Sequence, residues 1–187
     1  MLFNRERALE FMTEFGLDAL LATTRHNVLY LSGFQGWAQY TYGDATTETF
    51  AIFFRDTGVA PALIVSRQDE TYYSATGSWI EDVRGYGPHS ALDIEPGEQG
   101  TTDEERNYLS LIGEGAPREA NSVDALVRVL SERGISTGNI AIDNEGIRPA
   151  SRASLEAAFP DISFHDGANL FRLIRLQKTA EEVERLR

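Results

Sequence analysis

GLDALLATTRHNVLYLSGF, residues 16–34, sets the frame for reading the rest of the chain. LDALLAT (17–23) is short and almost wholly apolar, the pattern of a strand buried on both faces. Val28, Leu29, Tyr30 and Leu31 then form an apolar run, entered through Arg25, His26 and Asn27 and left through Ser32, Gly33 and Phe34. That run reads as a short helix over 26–32 feeding a loop.

Upstream, Asn4 can cap a helix whose apolar residues are Ala8, Leu9, Phe11, Met12 and Phe15, with Gly16 as a natural stop. Downstream, TFAIFF (49–54), the turn RDTG (55–58) and VAPALIV (59–65) read as a hairpin. Pro61 cannot donate to a ladder, so the second strand is expected to be free on one side there. QDETYYSAT (68–76) suits a helix and WIEDVRGY (79–86) a further strand. Residues 87–120, rich in Gly, Pro and Glu, suggest an exposed acidic excursion with a helix at 103–112.

After the excursion the pattern is regular. Asn121 or Ser122 caps a helix with Val123, Leu126, Val127 and Leu130 on one face, closed by Gly134. NIAID (139–143) is a strand, Pro149 opens the helix SRASLEAAF, DISFH (161–165) is a last strand and GANLFRLIRLQ (167–177) a helix. The alternation, with one antiparallel hairpin, predicts an α/β fold: a mixed, mostly parallel sheet of about five to six strands with helices on both faces.

The last residues differ. In QKTAEEVERLR, Thr179 and Glu182 have the spacing of a capping box, and Ala180, Val183 and Leu186 begin an apolar stripe. A helix so short is marginal alone in water. It reads as the opening of a following domain, which divides the chain into a domain at 1–175 and the start of a linker or helix at 176–187.

Composition narrows the function classes. The chain has 187 residues, enough for one domain with a sizeable core, and 42% hydrophobic residues, an ordinary globular value. It has no cysteine, which removes disulfides and thiolate chemistry and makes a reducing cytoplasm the expected compartment. No apolar run reaches the ~18 residues of a membrane span, and charges interrupt the N-terminus where a signal peptide would need an apolar core. A net charge of −12 repels phosphate backbones, so nucleic acid is not an expected partner, and without an apolar span neither is a membrane.

Catalytic motifs are scarce. There is no G-x-S-x-G, H-E-x-x-H, P-loop or G-x-G-x-x-G. His26, His89 and His165 have no second ligand at metal spacing. Asp18, Asp143 and Glu145 stand at strand ends, where acids occur in α/β active sites and, more often, simply meet solvent. Residues 35–48 have no clear period, yet 34–48 carry Phe34, Trp37, Tyr40 and Tyr42. Such aromatics either fold back on the domain's own core or reach a partner.

The stretch resembles the opening of creatinase, prolidase and Xaa-Pro aminopeptidase chains, through Gly16, Asp18, Ala19, Asn27, Tyr30, Leu31, Gly33 and Phe34. IAIDNEGI resembles a later strand of that family. FRLIRLQKTAEEVERLR resembles its interdomain junction, with Arg175, Lys178, Thr179 and Glu182 in comparable places and Leu176-Gln177 departing from the usual isoleucine-like residue.

The resemblance implies that this is an amino-terminal domain without catalytic residues. The chemistry would lie in a carboxy-terminal domain that, in the peptidases, holds two divalent metal ions (Mn, Co or Zn) on two Asp, one His and two Glu; creatinase-like members use that fold without metal. It further implies packing against the chain's own catalytic domain, a homodimer, and a substrate-side loop, here Phe34, Gln35, Trp37, Tyr40 and Asp44. Two other readings stay open: a free-standing interaction module, and a small hydrolytic enzyme using Asp18 and Asp143.

Overall fold

The computed structural model describes residues 2–44, 46–87, 102 and 119–187. The elements run α1 (Arg5–Glu14), β1 (Ala19–Ala22), α2 (Arg25–Ser32), α3 (Trp37–Tyr42), β2 (Phe50–Phe54), β3 (Ala62–Ser66), α4 (Arg67–Thr76) and β4 (Asp82–Tyr86). They continue with α5 (Ser122–Glu132), β5 (Gly138–Ile142), a 3-10 turn (Asn144–Gly146), α6 (Pro149–Ala158), β6 (Ile162–Asp166), α7 (Ala168–Leu176) and α8 (Ala180–Arg185). The excursion expected at 87–120, with its helix at 103–112, falls almost wholly outside the described residues.

The strands form one sheet in the order β4-β3-β2-β1-β5-β6. The pairs β1–β5, β3–β4 and β5–β6 are parallel, whereas β2 runs antiparallel to both β1 and β3. The mixed, mostly parallel α/β sheet expected from the alternation is therefore present. β3 departs from expectation. It starts at Ala62, one residue past Pro61, and is paired on both sides, so the missing N–H costs no ladder bond.

Alternation sorts the strand side chains between two cores. Leu20, Ala22, Ala51, Phe53, Leu63 and Val65 face one side, where Ala8 and Met12 of α1, Val28 and Leu31 of α2, and Phe171 and Ile174 of α7 cover them. Ala19, Leu21, Phe50, Ile52, Ala62 and Ile64 face the other, under Leu126, Val129 and Leu130 of α5 and Leu155 of α6. With both faces covered, β1, β2 and β3 are buried throughout, which is why they read as apolar runs.

The caps follow the sequence. Asn4 accepts from the Arg7 N–H and Asn121 from the Asp124 N–H, and Thr179 and Glu182 form a capping box at α8. No described helix is long and apolar enough to cross a membrane.

Candidate functional site: an anchored aromatic helix

The carboxyl end of β1 turns into α2 through Thr23 and Thr24, whose backbone N–H groups would be orphaned at a buried helix start. Asp143, just past β5, satisfies both. The Thr23 N–H donates to one carboxylate oxygen; the Thr24 N–H (3.1 Å), the Thr24 hydroxyl (2.7 Å) and the Asn27 amide (2.6 Å) donate to the other. The Thr23 hydroxyl donates to the Asp143 carbonyl and accepts from the Gly146 N–H at 3.1 Å. A Cβ on Gly146 would lie 2.3 Å from the Thr23 carbonyl oxygen, so only glycine permits this approach. Asp143 is 1% exposed, and burial pushes its carboxyl above the usual range, with the four donors offsetting only part of that.

Asn27 and Tyr30 extend the junction to both chain ends. The Asn27 side-chain oxygen accepts from Arg175 at 3.4 Å, the Arg175 guanidinium lies 5.5 Å from the Tyr30 ring centroid, and the Tyr30 hydroxyl accepts from the Asn4 N–H at 3.0 Å. Asp18 accepts from the Asn139 N–H at 2.9 Å and from Arg55 at 2.6 Å, joining the start of β1 to β5 and to the end of β2. Gly33 ends α2 with φ at 77°, the left-handed turn that drives Phe34 back into the core. The polar and glycine positions of the opening motif are thus engaged in holding the fold.

The segment 35–48, without a legible period, contains α3. Six residues cannot sustain a helix alone, and its N-cap, Gly36, offers no side chain. The support comes from other elements. Asp69, on α4 and fully buried, accepts from the Ala38 N–H at 2.8 Å and also from the Trp37 N–H and the Ser66 hydroxyl. Burial pushes the Asp69 carboxyl up, and these donors recover part of the cost. Gln39, also fully buried, donates its side-chain amide to the Thr23 carbonyl at 2.7 Å. The inner side of α3 is thereby bound to β1 and α4 by two buried polar side chains.

The outer side carries Trp37 (47% exposed), Tyr40 (58%) and Tyr42 (53%). Trp37 and Tyr42 meet edge-to-face at 5.6 Å. Arg25 supports Tyr40 twice, with its guanidinium 5.5 Å from the ring centroid and a hydrogen bond of 3.2 Å to the Tyr40 carbonyl.

Among the residues expected on a substrate-side loop, Trp37, Tyr40 and Gln35 are exposed. Phe34 is fully buried and packs against Tyr73, so its contribution is to the core. Asp44 is half-buried and accepts from the Arg25 N–H at 3.0 Å. Asp69, Gln39 and Arg25 were not legible as site residues. Asp69 lies 31 positions from the N–H it holds, and no local pattern marks that pairing.

The pairing of Asp18 with Asp143 as a hydrolytic couple does not form. Asp18 precedes β1 and Asp143 follows β5; the two strands are parallel, so the carboxylates stand at opposite ends of the sheet. Among the described residues no three His, Asp or Glu side chains gather as a metal-ligand group.

Comparison with known proteins agrees with this architecture. The Creatinase/Prolidase N-terminal domain family matches residues 4–177. An X-Pro aminopeptidase from Thermotoga maritima MSB8 superposes with a TM-score of 0.59 at 18% identity, covering 96% of this chain and 37% of that one. A proline dipeptidase structure from Streptococcus pneumoniae gives 0.59 at 13%, covering 94% of this chain and 98% of that one, and an Xaa-Pro dipeptidase from Bacillus anthracis 0.57 at 17%, covering 96% and 37%. The chain therefore spans little more than a third of the Thermotoga and Bacillus enzymes. No curated protein sequence matches it significantly. The match along nearly the whole chain, together with the shared sheet, places this chain in the creatinase/prolidase N-terminal domain family.

Proposed function

We propose that the chain serves as the non-catalytic amino-terminal domain of a creatinase/prolidase-type hydrolase that cleaves a C–N bond. The substrate class is an Xaa-Pro di- or oligopeptide or, in a creatinase-like parent, a small amidino metabolite. The observation that carries this reading is α3. Two large aromatic side chains, Trp37 and Tyr40, are held in solvent by a six-residue helix that Asp69 and Gln39 fix from beneath. Exposed aromatics on a rigid support are costly unless a ligand or partner covers them. In a homodimer, α3 would line the mouth of the partner subunit's active site and supply an apolar wall with polar tips.

A second surface supports the same arrangement. Leu176 is 69% exposed and Leu186 78%, with Leu173 and Val183 partly so, giving α7 and α8 an apolar side that the chain's own catalytic domain would cover. Two divalent metals, where the parent uses them, would be held by that following domain, as the resemblance of the opening motif implies. No chemical step is assigned to this chain.

In the full-length protein, Trp37→Ala is expected to raise KM for an Xaa-Pro dipeptide roughly 30-fold, about 2 kcal/mol, with a smaller change in kcat. Steady-state kinetics check this; unchanged KM and kcat would remove α3 from the substrate site. The same exposed aromatics would also suit a free-standing interaction module. The mass of the native protein, by immunoblot of source cells, separates the two. A species of about twice this length or more supports the hydrolase domain, and a native species of this length supports the module.

A further inference from the structure

The sheet ends at β4 on one side and at β6 on the other; β4 carries a bridge from Tyr86 to Glu119 on its far side, whereas the far side of β6 pairs with nothing in the sheet among the described residues. The ladder fixes which of its backbone groups face outward. The Gly167 N–H donates to the Ile142 carbonyl at 2.6 Å, with Ile142 in register with Asp166. By alternation Ser163, His165 and Gly167 address β5, while Ile162, Phe164 and Asp166 turn their N–H and C=O groups away from the sheet. A second copy could pair there in antiparallel fashion about a two-fold axis. Phe164 would exchange both hydrogen bonds with its symmetry mate, and Ile162 would face Asp166 on each side.

Two of those outward groups are already engaged. The Ile162 N–H donates to the Phe159 carbonyl at 3.1 Å, a local turn. The Phe164 carbonyl, the acceptor at the centre of any symmetric pairing, accepts from the Arg152 guanidinium at 3.1 Å. Arg152 is itself fixed at its other nitrogens. Its Nε donates to Glu156 at 2.7 Å and its Nη1 to Asn144, and its guanidinium lies 5.2 Å from the Phe164 ring centroid. An arginine with all three nitrogens committed has little freedom left to swing away.

We propose that Arg152 is an edge guard: its guanidinium occupies the Phe164 carbonyl and prevents β6 from pairing with β6 of a second copy. Among the described residues, the turn at Ile162 supplies the only other hydrogen bond that occupies the outward backbone of β6. The strand contains no proline or lysine, and its five residues are long enough to template a partner. The device is independent of any role for α3.

Sedimentation velocity of the 187-residue chain over a concentration series tests it. Arg152→Ala is expected to raise the weight-average mass toward twofold relative to wild type at the same concentration, as a two-fold pair requires. Adding Ser163→Lys to that variant is expected to restore the wild-type mass, because two lysines would then lie diagonally across the axis of the pair. Asn144→Ala with Glu156→Ala leaves Arg152 in place but unanchored, and should shift the mass in the same direction even if Arg152→Ala fails to fold. A wild-type mass for a folded Arg152→Ala chain, or for the unanchored pair, overturns the proposal. So does association that Ser163→Lys does not reverse.

Discussion

Asp143→Ala is expected to lower the stability of the fold by about 3–5 kcal/mol, the usual loss when one partner is removed from a buried, charged hydrogen-bonded set. Among the described residues the Asp143 carboxylate is the only side-chain acceptor for the Thr23 and Thr24 N–H groups and for the Asn27 amide. Alanine leaves these donors where Thr23, Thr24 and the end of β5 are all buried, and water has little access to replace the lost acceptor. The junction cannot close over the gap, because Gly146 already sits against the Thr23 carbonyl. Against a typical stability of ~5–15 kcal/mol the loss is large, and for a chain of this size it corresponds to a fall of ~10 °C or more in Tm.

Asp143→Asn should fall between wild type and alanine. Its carbonyl can replace the oxygen that accepts from Thr24 and Asn27, but its amide then faces the Thr23 N–H, donor against donor. Urea denaturation followed by far-UV circular dichroism gives the ranking. An alanine variant within ~0.5 kcal/mol of wild type would mean that Asp143 does not hold β5 to α2.

Asp143 shows why the fold was more legible than the site. The strands and most helices follow from local patterns: LDALLAT is apolar on both sides, Val123, Leu126, Val127 and Leu130 recur at helical spacing, and Asn4, Asn121 and Thr179 stand at helix starts. Each of those signals lies within one element. The carboxylate of Asp143 serves donors 116 to 120 positions away, so its sequence neighbourhood shows only an acid at a strand end.

The same limit hid α3. Its helix exists because Asp69 and Gln39 hold it from below, and the local sequence, starting at an uncapped glycine, has no sustained period. Phe34 and Trp37 are both aromatic and three positions apart, yet one is core and the other surface. The left-handed turn at Gly33 sends Phe34 onto Tyr73, and the helix that starts after Gly36 carries Trp37 outward. The motif residues Asn27 and Tyr30 were recognisable by resemblance, but their work, linking α2 to α7 and to the start of α1, is visible only in three dimensions.

Glu48→Ala is the other substitution expected to act strongly, at about 3 kcal/mol. Glu48 precedes β2, is 1% exposed and collects four hydrogen bonds: from Ser122 at 2.6 Å, from Ser151 at 3.0 Å, and from the Arg148 N–H and guanidinium at 2.8 Å each. It thereby ties the first turns of α5 and α6 to the sheet. The Arg148 side chain is 49% exposed and can return to water when its partner is lost, so most of the cost falls on the two buried serines and the Arg148 N–H. The pH dependence separates this role from simple space-filling. Burial alone would raise the Glu48 carboxyl, but Arg148, Ser122 and Ser151 outweigh it and hold the carboxyl below its ordinary 4.5. A carboxylate depressed in the native state contributes stability that is fully present above its unfolded value and is lost as pH falls through the native one. The stability gap between wild type and Glu48→Gln should therefore be widest near neutrality and narrow as pH falls below 4.5. Paired urea titrations from pH 7 to pH 3 measure it, and a gap that stays constant would show that the ionised form of Glu48 contributes nothing to the link between the sheet and its two helices.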